Sequence, residues 1–481
     1  MPYRLPRSGS RGITFASMTE TKAPGQALTQ PADEETSWGH PRGLQTLFFT
    51  EMWERFSYYG MRALLVLYMT APLENGGLGF KVVDAAKIYG TYTFSVYLSA
   101  LPGGWLADRV LGQKRAVLFG GITIALGHFC LAMNSLPAFY LGLSLIVIGT
   151  GLLKPNISTM VGGLYGEKDP RRDAGFSIFY MGINLGGFIA PLVCGYLAQA
   201  PSFLGYLDRH GINPHLGWHF AFGAAGIGMC LGLIQYLAGR RHLLHVGHGS
   251  RSKPDAAADH LPQSPLTSRD FTRLAAIAIL FCFSSLFWSA FEQAGSSLNL
   301  FADQLTENRI LGFRFPSSWL QSVNSLFIIA LAPVFAWLWI RLGKREPSSP
   351  SKFAWGLLFV GLSFVLVGFG AMVALHTGSK VSPWWLIGVY LLDTVAELSL
   401  SPVGLSTVTK LAPARFASLM MGVWFTSLAV GNYVGGWIAG HFDPGASLSR
   451  LFFTVAAVEI GAAVVLWLLV RPIKKLMAGV Q

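Results

Sequence analysis

Charged side chains are scarce in this chain. Asp, Glu, Lys and Arg together make up 12% of its 481 residues, whereas 52% of the residues are hydrophobic. Soluble domains usually have about twice that charged fraction, so the composition excludes an ordinary water-soluble enzyme. The net charge of +12 is spread over short connections between apolar segments and forms no single basic face. We therefore expect no nucleic-acid partner.

Cysteine is also rare. The four cysteines lie singly inside apolar segments, and no two of them have the spacing of a metal site or a disulfide framework in a loop. We interpret Cys130, Cys194, Cys230 and Cys282 as small core residues.

The N-terminal stretch has no apolar block that could act as a signal peptide. We expect residues 1–43 to form a disordered cytoplasmic tail, and both Met1 and Met18 are candidate start sites.

Long apolar runs dominate the remainder of the chain. Five stretches without Asp, Glu, Lys or Arg exceed the roughly 20 residues that cross a bilayer: Ala116 to Leu153, Ala174 to Leu207, Phe315 to Ile340, Phe353 to Ser379 and Phe416 to Phe442. The chain is thus predicted to be an all-α protein embedded in the lipid bilayer. The predicted spans are residues 44–70, 82–107, 113–133, 137–162, 173–199, 217–239, 271–302, 317–341, 353–376, 383–411, 415–441 and 448–470.

These twelve spans divide into two halves. Residues 240–270 are polar and contain no apolar run long enough to cross the membrane. This segment is predicted to be a cytoplasmic linker. It separates an N-terminal six-helix bundle, residues 44–239, from a C-terminal bundle, residues 271–471, which precedes a tail at 472–481. Short echoes support a duplication: Leu111-Gly-Gln-Lys-Arg115 matches Leu342-Gly-Lys-Arg-Glu346. Internal repeats are typical of secondary transporters, whose site lies between the halves.

The basic residues predict the orientation. Lys and Arg are concentrated in the connections that follow even-numbered spans, for example Lys114, Arg171 and Arg240. Because positive residues stay on the cytoplasmic side, both termini and the linker are predicted to be cytoplasmic. The absence of a targeting segment suggests a bacterial inner membrane.

The first span contains an unusual charged stripe. Glu51, Glu54, Arg55, Tyr58 and Arg62 occur at i, i+3, i+4, i+7 and i+11, which places them on one helical face. A charged face at membrane depth does not face lipid; it faces a partner or a water-filled cavity. The stripe is either a structural ion-pair cluster or a set of groups that bind and release a proton, and we favour the second.

The same residues resemble a known family. Glu51-Met-Trp-Glu-Arg-Phe-Ser-Tyr-Tyr-Gly60 resembles the E-x-x-E-R-F-x-Y-Y-G signature of the proton-dependent oligopeptide transporter family, within the major facilitator superfamily. Gly104 to Arg115 resembles the superfamily's loop signature, and Phe176 to Gly186 resembles the family's other signature. The resemblance implies the facilitator fold, with twelve transmembrane helices in two pseudo-symmetric six-helix bundles. Many bacterial members have an extra hairpin between the halves, for which this linker is too short.

The resemblance also implies roles for particular residues. It implies that proton coupling uses Glu51, Glu54, Arg55, Arg62 and Glu292. It implies that substrate is bound by Arg55, Tyr58, Tyr59, Tyr97, Lys154, Asn184, Trp288, Asn324, Glu397 and Trp424. Arg55 and Lys154 would receive the carboxyl end of a peptide, and Glu397 would meet its amino end. Arg62 would pair with Glu292 when the outer gate is closed, and Glu54 with Lys154 would form a second exchangeable pair.

We accordingly expect a proton-coupled symporter that imports di- and tripeptides by alternating access, with broad side-chain specificity. It would need no cofactor, because the proton gradient drives transport, and it would work as a monomer. A transporter of the same fold for nitrate or a peptide-like drug is the first alternative. An intramembrane enzyme is the second, but the chain has no G-x-S-x-G or H-E-x-x-H motif and no catalytic residues are predicted.

Three further buried candidates have less clear roles. Asp393 lies one turn before Glu397 and is either a cavity residue or a structural group near a helix end. Glu459 is interpreted as a packing or interfacial carboxylate in the last span. His128 is interpreted as a core histidine with its hydrogen bonds satisfied.

Other residues suggest linker or gating features. His242, His245 and His248 have a spacing that could suit a metal, yet we interpret them as part of a solvated basic linker, with no metal site. Pro155 and Pro402 are predicted to bend the fourth and tenth spans. Asp108 and Arg109 are predicted to form a latch at the cytoplasmic face.

Overall fold

A computed structural model describes residues 36–166, 169–244, 246, 267–412, 417–445 and 447–477. It is built almost entirely of helices. In the first half these are α1 (Arg42–Thr70), α2 (Val82–Leu98), α3 (Ala100–Leu106), α4 (Gln113–Leu131), α5 (Leu136–Gly163), α6 (Arg172–Gln199), α7 (Pro201–Arg209) and α8 (Gly217–Gly239). In the second half they are α9 (Ser268–Phe291), α10 (Ser297–Gln304), α11 (Ser322–Leu342), α12 (Ser349–Thr377), α13 (Trp384–Leu411), α14 (Ala417–Ala439) and α15 (Ser447–Leu476).

Two short antiparallel hairpins complete the fold. Strands β1 (Thr36–Ser37) and β2 (His40–Pro41) precede α1, and strands β3 (Arg309–Ile310) and β4 (Phe313–Arg314) follow α10. The first hairpin corrects the predicted tail, because residues 36–41 are ordered and residue 42 already begins α1. The hairpin is held in place by a 2.9 Å hydrogen bond between His40 Nδ1 and the Tyr165 hydroxyl.

The helices follow the predicted spans closely. In the described part of the chain, nine helical segments are long and apolar enough to cross a membrane, and α1, with its charged stripe, is not among them. α15 continues to Leu476, past the predicted start of the tail at residue 472. The linker prediction falls largely outside the described residues, which lack 245 and 247–266. The last residues of the predicted linker are described: Thr267 and Asp270 form a capping box at the start of α9.

Two predicted spans are broken. The second is divided between α2 and α3 at Ser99, because Pro102 has no N–H to donate back along the helix. A π-helical turn, Ala107–Leu111, then carries Asp108 and Arg109. The seventh span is divided by a 3₁₀ turn, Glu292–Gly295, between α9 and α10. This break places Glu292 in a buried 3₁₀ turn between two α-helices.

The nine-residue helix α7 was not predicted. It connects α6 to α8 and begins with Pro201 in its first turn, where a missing N–H does no harm. Its aromatic rings pack on one another, with Phe203 and Tyr206 stacked at 6.3 Å between ring centroids. A helix of nine residues with a polar face is too short to be predicted from hydropathy alone.

The two halves meet along specific helices. Within the halves, α1 packs on α6 and α8, and α12 packs on α13 and α15; between the halves, α2 packs on α14 and α6 packs on α11. α2 and α14 approach closely at glycine: a Cβ added to Gly436 would lie 2.5 Å from Gly90 Cα. Because successive long helices alternate in direction, the protein has a linker side, where α1 begins, and an opposite side, the far side, where α1 ends.

Hydrogen bonds join the halves on the far side. Trp319 Nε1 donates to the Leu192 carbonyl over 3.0 Å, and Ser322 Oγ donates to the Phe188 carbonyl over 2.8 Å. Gln199, at the end of α6, accepts from Ser318 Oγ over 2.7 Å and donates to Ser317 Oγ over 2.9 Å. The far side is therefore closed in this structure.

Candidate functional site

The charged stripe of α1 is buried and internally paired. Glu51, Glu54 and Arg55 are all 4% exposed or less. Both carboxylate oxygens of Glu54 accept from Arg55: Oε2 from Nε, and Oε1 from Nη2 over 2.7 Å. Glu51 Oε1 lies 3.3 Å from Arg55 Nε, while its Oε2 has no hydrogen-bond partner among the described residues. Two carboxylates thus compete for one buried guanidinium group.

The next turns of α1 reach across to the other half. Arg62 Nη2 lies 2.5 Å from Glu292 Oε2, and its Nε donates to the Tyr89 hydroxyl over 2.8 Å. Arg62 and Glu292 are 7% and 5% exposed. Gly295 makes this contact possible, because a Cβ there would lie 2.9 Å from Arg62 Nε and would also clash with Tyr89. The pair joins the halves on the far side, as the resemblance implied.

Lys154 has no carboxylate partner among the described residues. Its ammonium lies 4.2 Å from the centroid of the Tyr97 ring, and it makes no ion pair with the described residues. Glu51, Glu54 and Arg55 all act on it electrostatically. The hypothetical Glu54–Lys154 pair is not formed in this state, because Glu54 is fully occupied by Arg55. Lys154 is thus left available to bind an anion.

The C-terminal half supplies a carboxylate. Glu397 lies on α13. Its Oε1 accepts a hydrogen bond of 3.5 Å from the Tyr180 hydroxyl of α6, and its Oε2 is buried without a partner in the described chain. Asn324 of α11 lies beside Glu397 and donates to Thr394 Oγ1 over 3.0 Å. Asn184 does not reach across the interface with its amide group, which donates to the Tyr180 carbonyl of its own helix.

Tyr59 connects the two sets of charges. It is partly exposed, packs edge to face on Tyr58 at 5.4 Å, and lies within the electrostatic influence of Arg55, Arg62, Glu292 and Glu397. Its ring therefore stands between the cations of one half and the carboxylates of the other.

Two tryptophans line the C-terminal half. Trp288 is 7% exposed, its Nε1 lacks a partner among the described residues, and its ring packs edge to face on Phe291 at 5.4 Å. Trp424 is 4% exposed and packs on Phe353 at 5.9 Å. In this state both rings are mostly buried.

The structure adds site residues that the sequence analysis missed. Tyr89 accepts a hydrogen bond from Nε of Arg62, whose Nη2 pairs with Glu292, and Tyr180 contacts Glu397. Gln199 bridges the halves at the far side. Tyr180 was within reach of sequence reasoning, because it lies four residues before Asn184 on one face of a helix. Tyr89 and Gln199 had no such signal.

The residues with less clear roles are also placed. His128 is fully buried with neither ring nitrogen hydrogen-bonded in the described part, which corrects the expectation of a satisfied histidine. Asp393 and Glu459 are each 1% exposed. Asp393 is well inside α13, which overturns the helix-end interpretation.

The linker and gating predictions have partial outcomes. His245 and His248 lie outside the described residues, while His242 accepts from Arg241 in a 3₁₀ turn. No group of metal-binding side chains occurs in the described chain. α5 and α13 run without interruption through Pro155 and Pro402. Arg109 stacks on Trp105 at 5.4 Å, whereas Asp108 is exposed.

A buried ion pair that joins two halves built of long apolar helices indicates the class: an integral membrane transporter with the major facilitator fold. A family model described as the POT family matches residues 114–262 and 264–449. The peptide transporter YePEPT of Yersinia enterocolitica is 40% identical, with 95% of this chain and 99% of that protein aligned. A di-/tripeptide transporter of Lactococcus lactis is 35% identical over 93% of this chain and 99% of its own length.

Solved structures agree with this assignment. The crystal structure of a mutant peptide transporter POT in complex with alafosfalin has a TM-score of 0.83 and 40% sequence identity, covering 93% of this chain and 98% of that one. The chain belongs to the POT family.

Proposed function

We propose that this protein imports di- and tripeptides together with protons by alternating access. The observation that carries the proposal is the arrangement of charge around Tyr59, with Arg55 on one half and Glu397 on the other. A short peptide is a zwitterion whose terminal charges are only a few residues apart, so such a site complements both ends. Nitrate has no positive end for Glu397 to bind.

The names of the relatives support the same substrate class, since two of them are a peptide transporter and a di-/tripeptide transporter. Aromatic walls such as Trp288, Trp424 and Tyr58 favour broad specificity, because apolar contact is non-directional and accepts side chains of different shape.

Proton coupling would act through Arg62 and Glu292. A proton on Glu292 removes the attraction that holds the far side closed, so the halves separate there. Lys154, which has no carboxylate partner here, would receive the peptide carboxylate together with Arg55. As substrate and proton leave, the pairing of Glu54 and Glu51 with Arg55 and Lys154 would then change. Transport needs ligands that bind the two states with different affinity, and these pairs supply that difference.

The distribution of basic residues supports an orientation with the linker side in the cytoplasm of a bacterial inner membrane. Both termini would then be cytoplasmic, and the closed far side would face outward. The protein would act as a monomer without a cofactor, because each chain contains both halves and the proton gradient supplies the energy.

Uptake of labelled dialanine into proteoliposomes under an imposed proton gradient tests the proposal. We expect accumulation of intact dialanine, competition by trialanine but not by nitrate, and loss of uptake in Arg55→Gln and Glu397→Gln. Arg450→Gln, which removes an exposed cation of α15, is the matched control and should transport normally. Uptake that is indifferent to trialanine, or cleaved peptide inside the vesicles, would refute the proposed function.

A further inference from the structure

α13 carries two buried carboxyl groups one turn apart, Asp393 and Glu397. The proposed function uses only Glu397. Asp393 is 1% exposed, and its Oδ2 has no hydrogen-bond partner in the described part of the chain. Its Oδ1 lies 2.6 Å from Ser363 Oγ of α12. An ionised carboxylate in such a place would have one hydrogen bond and no cation, which is strongly unfavourable in a dry interior.

The hydrogen bonds of Ser363 indicate which group holds the proton. Its Oγ lies 2.8 Å from the Val360 carbonyl of its own helix as well as 2.6 Å from Asp393. A serine hydroxyl has one hydrogen, and a carbonyl can only accept. If the hydroxyl donates to Val360, the short contact with Asp393 is a hydrogen bond only when the carboxyl group donates.

Two other hydroxyls of the same half use their hydrogen in this way. Thr394 Oγ1 donates to the Tyr390 carbonyl over 2.7 Å and accepts from Asn324 Nδ2 over 3.0 Å. In Thr394, the hydroxyl group donates to its own helix and accepts with a lone pair from the neighbouring helix.

Ser427 follows the same pattern, because it lies 2.7 Å from the Trp424 carbonyl and 2.9 Å from Ser284 Oγ, which can donate. Ser363 can donate either to Val360 or to Asp393. If it uses its hydrogen as Thr394 and Ser427 do, its partner is a donor, and a carboxyl group donates only in its protonated form.

The ionisable groups around Asp393 favour the same form. On α13 its neighbours are Tyr390, whose hydroxyl is buried without a partner in the described residues, and Glu397, which is itself close to Glu292. Arg62 of α1 also acts on Tyr390, but its positive charge is paired with Glu292. In the helices packed against α13, the cationic side chains lie near helix ends, including Arg273 of α9, Arg341 of α11 and Lys352 of α12. Nearby negative charge and distant positive charge both disfavour a second anion.

We propose that Asp393 keeps its proton while the far side is closed, as a resident carboxylic acid that leaves Glu397 as the single negative charge on this part of α13. Asp393 then does not bind substrate: it cross-links α12 and α13 through Ser363 and avoids a like charge one turn from Glu397. The role at Glu397 rests on the proposed peptide transport, whereas the protonation state does not.

Infrared difference spectroscopy of the purified full-length protein in lipid tests the protonation state without transport. We expect a C=O stretch of a protonated carboxyl group that persists through neutral pH, is lost in Asp393→Asn, and remains in Glu397→Gln and Glu459→Gln. Ser363→Ala should change its frequency, because the acceptor is removed. Identical spectra for the wild type and Asp393→Asn would overturn the proposal. If Asp393→Asn does not fold, a C=O stretch at the wild-type frequency in Ser363→Ala would overturn the proposal.

Dialanine uptake by Asp393→Asn provides a second readout. Because the amide is also a neutral donor, we expect KM to stay within about twofold of the wild type and the pH profile to be unchanged. If Asp393 were ionised, Asn would remove a charge near the peptide's amino group. A KM raised about tenfold, equivalent to about 1.4 kcal/mol, or a displaced pH profile, would contradict the proposal.

Discussion

Replacing Glu292 by Gln tests the proposed closure mechanism most directly. The variant keeps the shape of the side chain but makes permanent the charge state that a bound proton would produce. In the closed form Arg62 would then be a buried cation without a counter-charge, since Glu292 Oε2 is its ion-pair partner at 2.5 Å. In the open form both side chains would be in water, so the substitution would have little effect there.

The size of the effect follows from burial. Removing one partner of a buried ion pair costs about 3–5 kcal/mol, and the amide oxygen of Gln recovers about 1 kcal/mol as a neutral hydrogen bond. The closed form should lose about 2–4 kcal/mol relative to the open form. At 1.4 kcal/mol for each factor of ten, the ratio of open to closed protein should rise by about 30- to 700-fold.

Distances between spin labels report that ratio. Leu73, in the turn after α1, and Leu311, at the tip of the β3–β4 hairpin, are 75% and 102% exposed on the far side of the two halves. With labels at these positions in a cysteine-free background, the wild type should show a short distance at high pH and a growing long component as pH falls. Glu292→Gln should show the long component at every pH.

A matched control is available in the same half. Glu346 pairs with Lys352 of its own half on the linker side. Glu346→Gln should therefore leave the distance distribution and its pH response as in the wild type. If Glu292→Gln has the wild-type distribution at all pH values, the Arg62–Glu292 pair does not control far-side closure, and the reasoning is wrong.

Other predictions concern the far-side interface and the last helix. Gln199→Leu removes the hydrogen bonds to Ser318, so the spin-label distance should lengthen by a smaller population shift, about tenfold, that does not depend on pH. Gly436→Val places a side chain against Gly90 and should prevent far-side closure, abolishing uptake while the protein still folds, as size-exclusion chromatography would show. Glu459 is a buried carboxyl group whose Oε2 has no hydrogen-bond partner in the described chain. Glu459→Gln should therefore retain uptake and have an equal or higher Tm.

Local sequence features determined much of this architecture. The spans could be located because a membrane-crossing helix requires a long apolar run, a property of contiguous residues. The stripe from Glu51 to Arg62 could be assigned to one face because helical periodicity is fixed by backbone geometry. The motif in that stripe pointed to the family, which the comparisons confirm.

The breaks in the spans needed the structure. The 3₁₀ turn at Glu292 depends on Gly295 fitting against Tyr89 and Arg62, two residues from the other half. The helix α7 has ring stacking between Phe203 and Tyr206, and its first seven residues continue the apolar run of α6, so no local signal separates the two helices. Neither feature has a local signature strong enough to appear in a single sequence.

The choice of ion-pair partners was likewise beyond the sequence. Adjacent residues of a helix do not face each other, yet the long side chain of Arg55 turns to bond Glu54, and Lys154 is left on Tyr97. Several buried cations and carboxylates lie within reach of one another, so small differences in distance decide which of them pair. Composition and spacing determined that charges would be buried together between two helical halves. Only the tertiary packing decided their partners, because those distances depend on how the halves close.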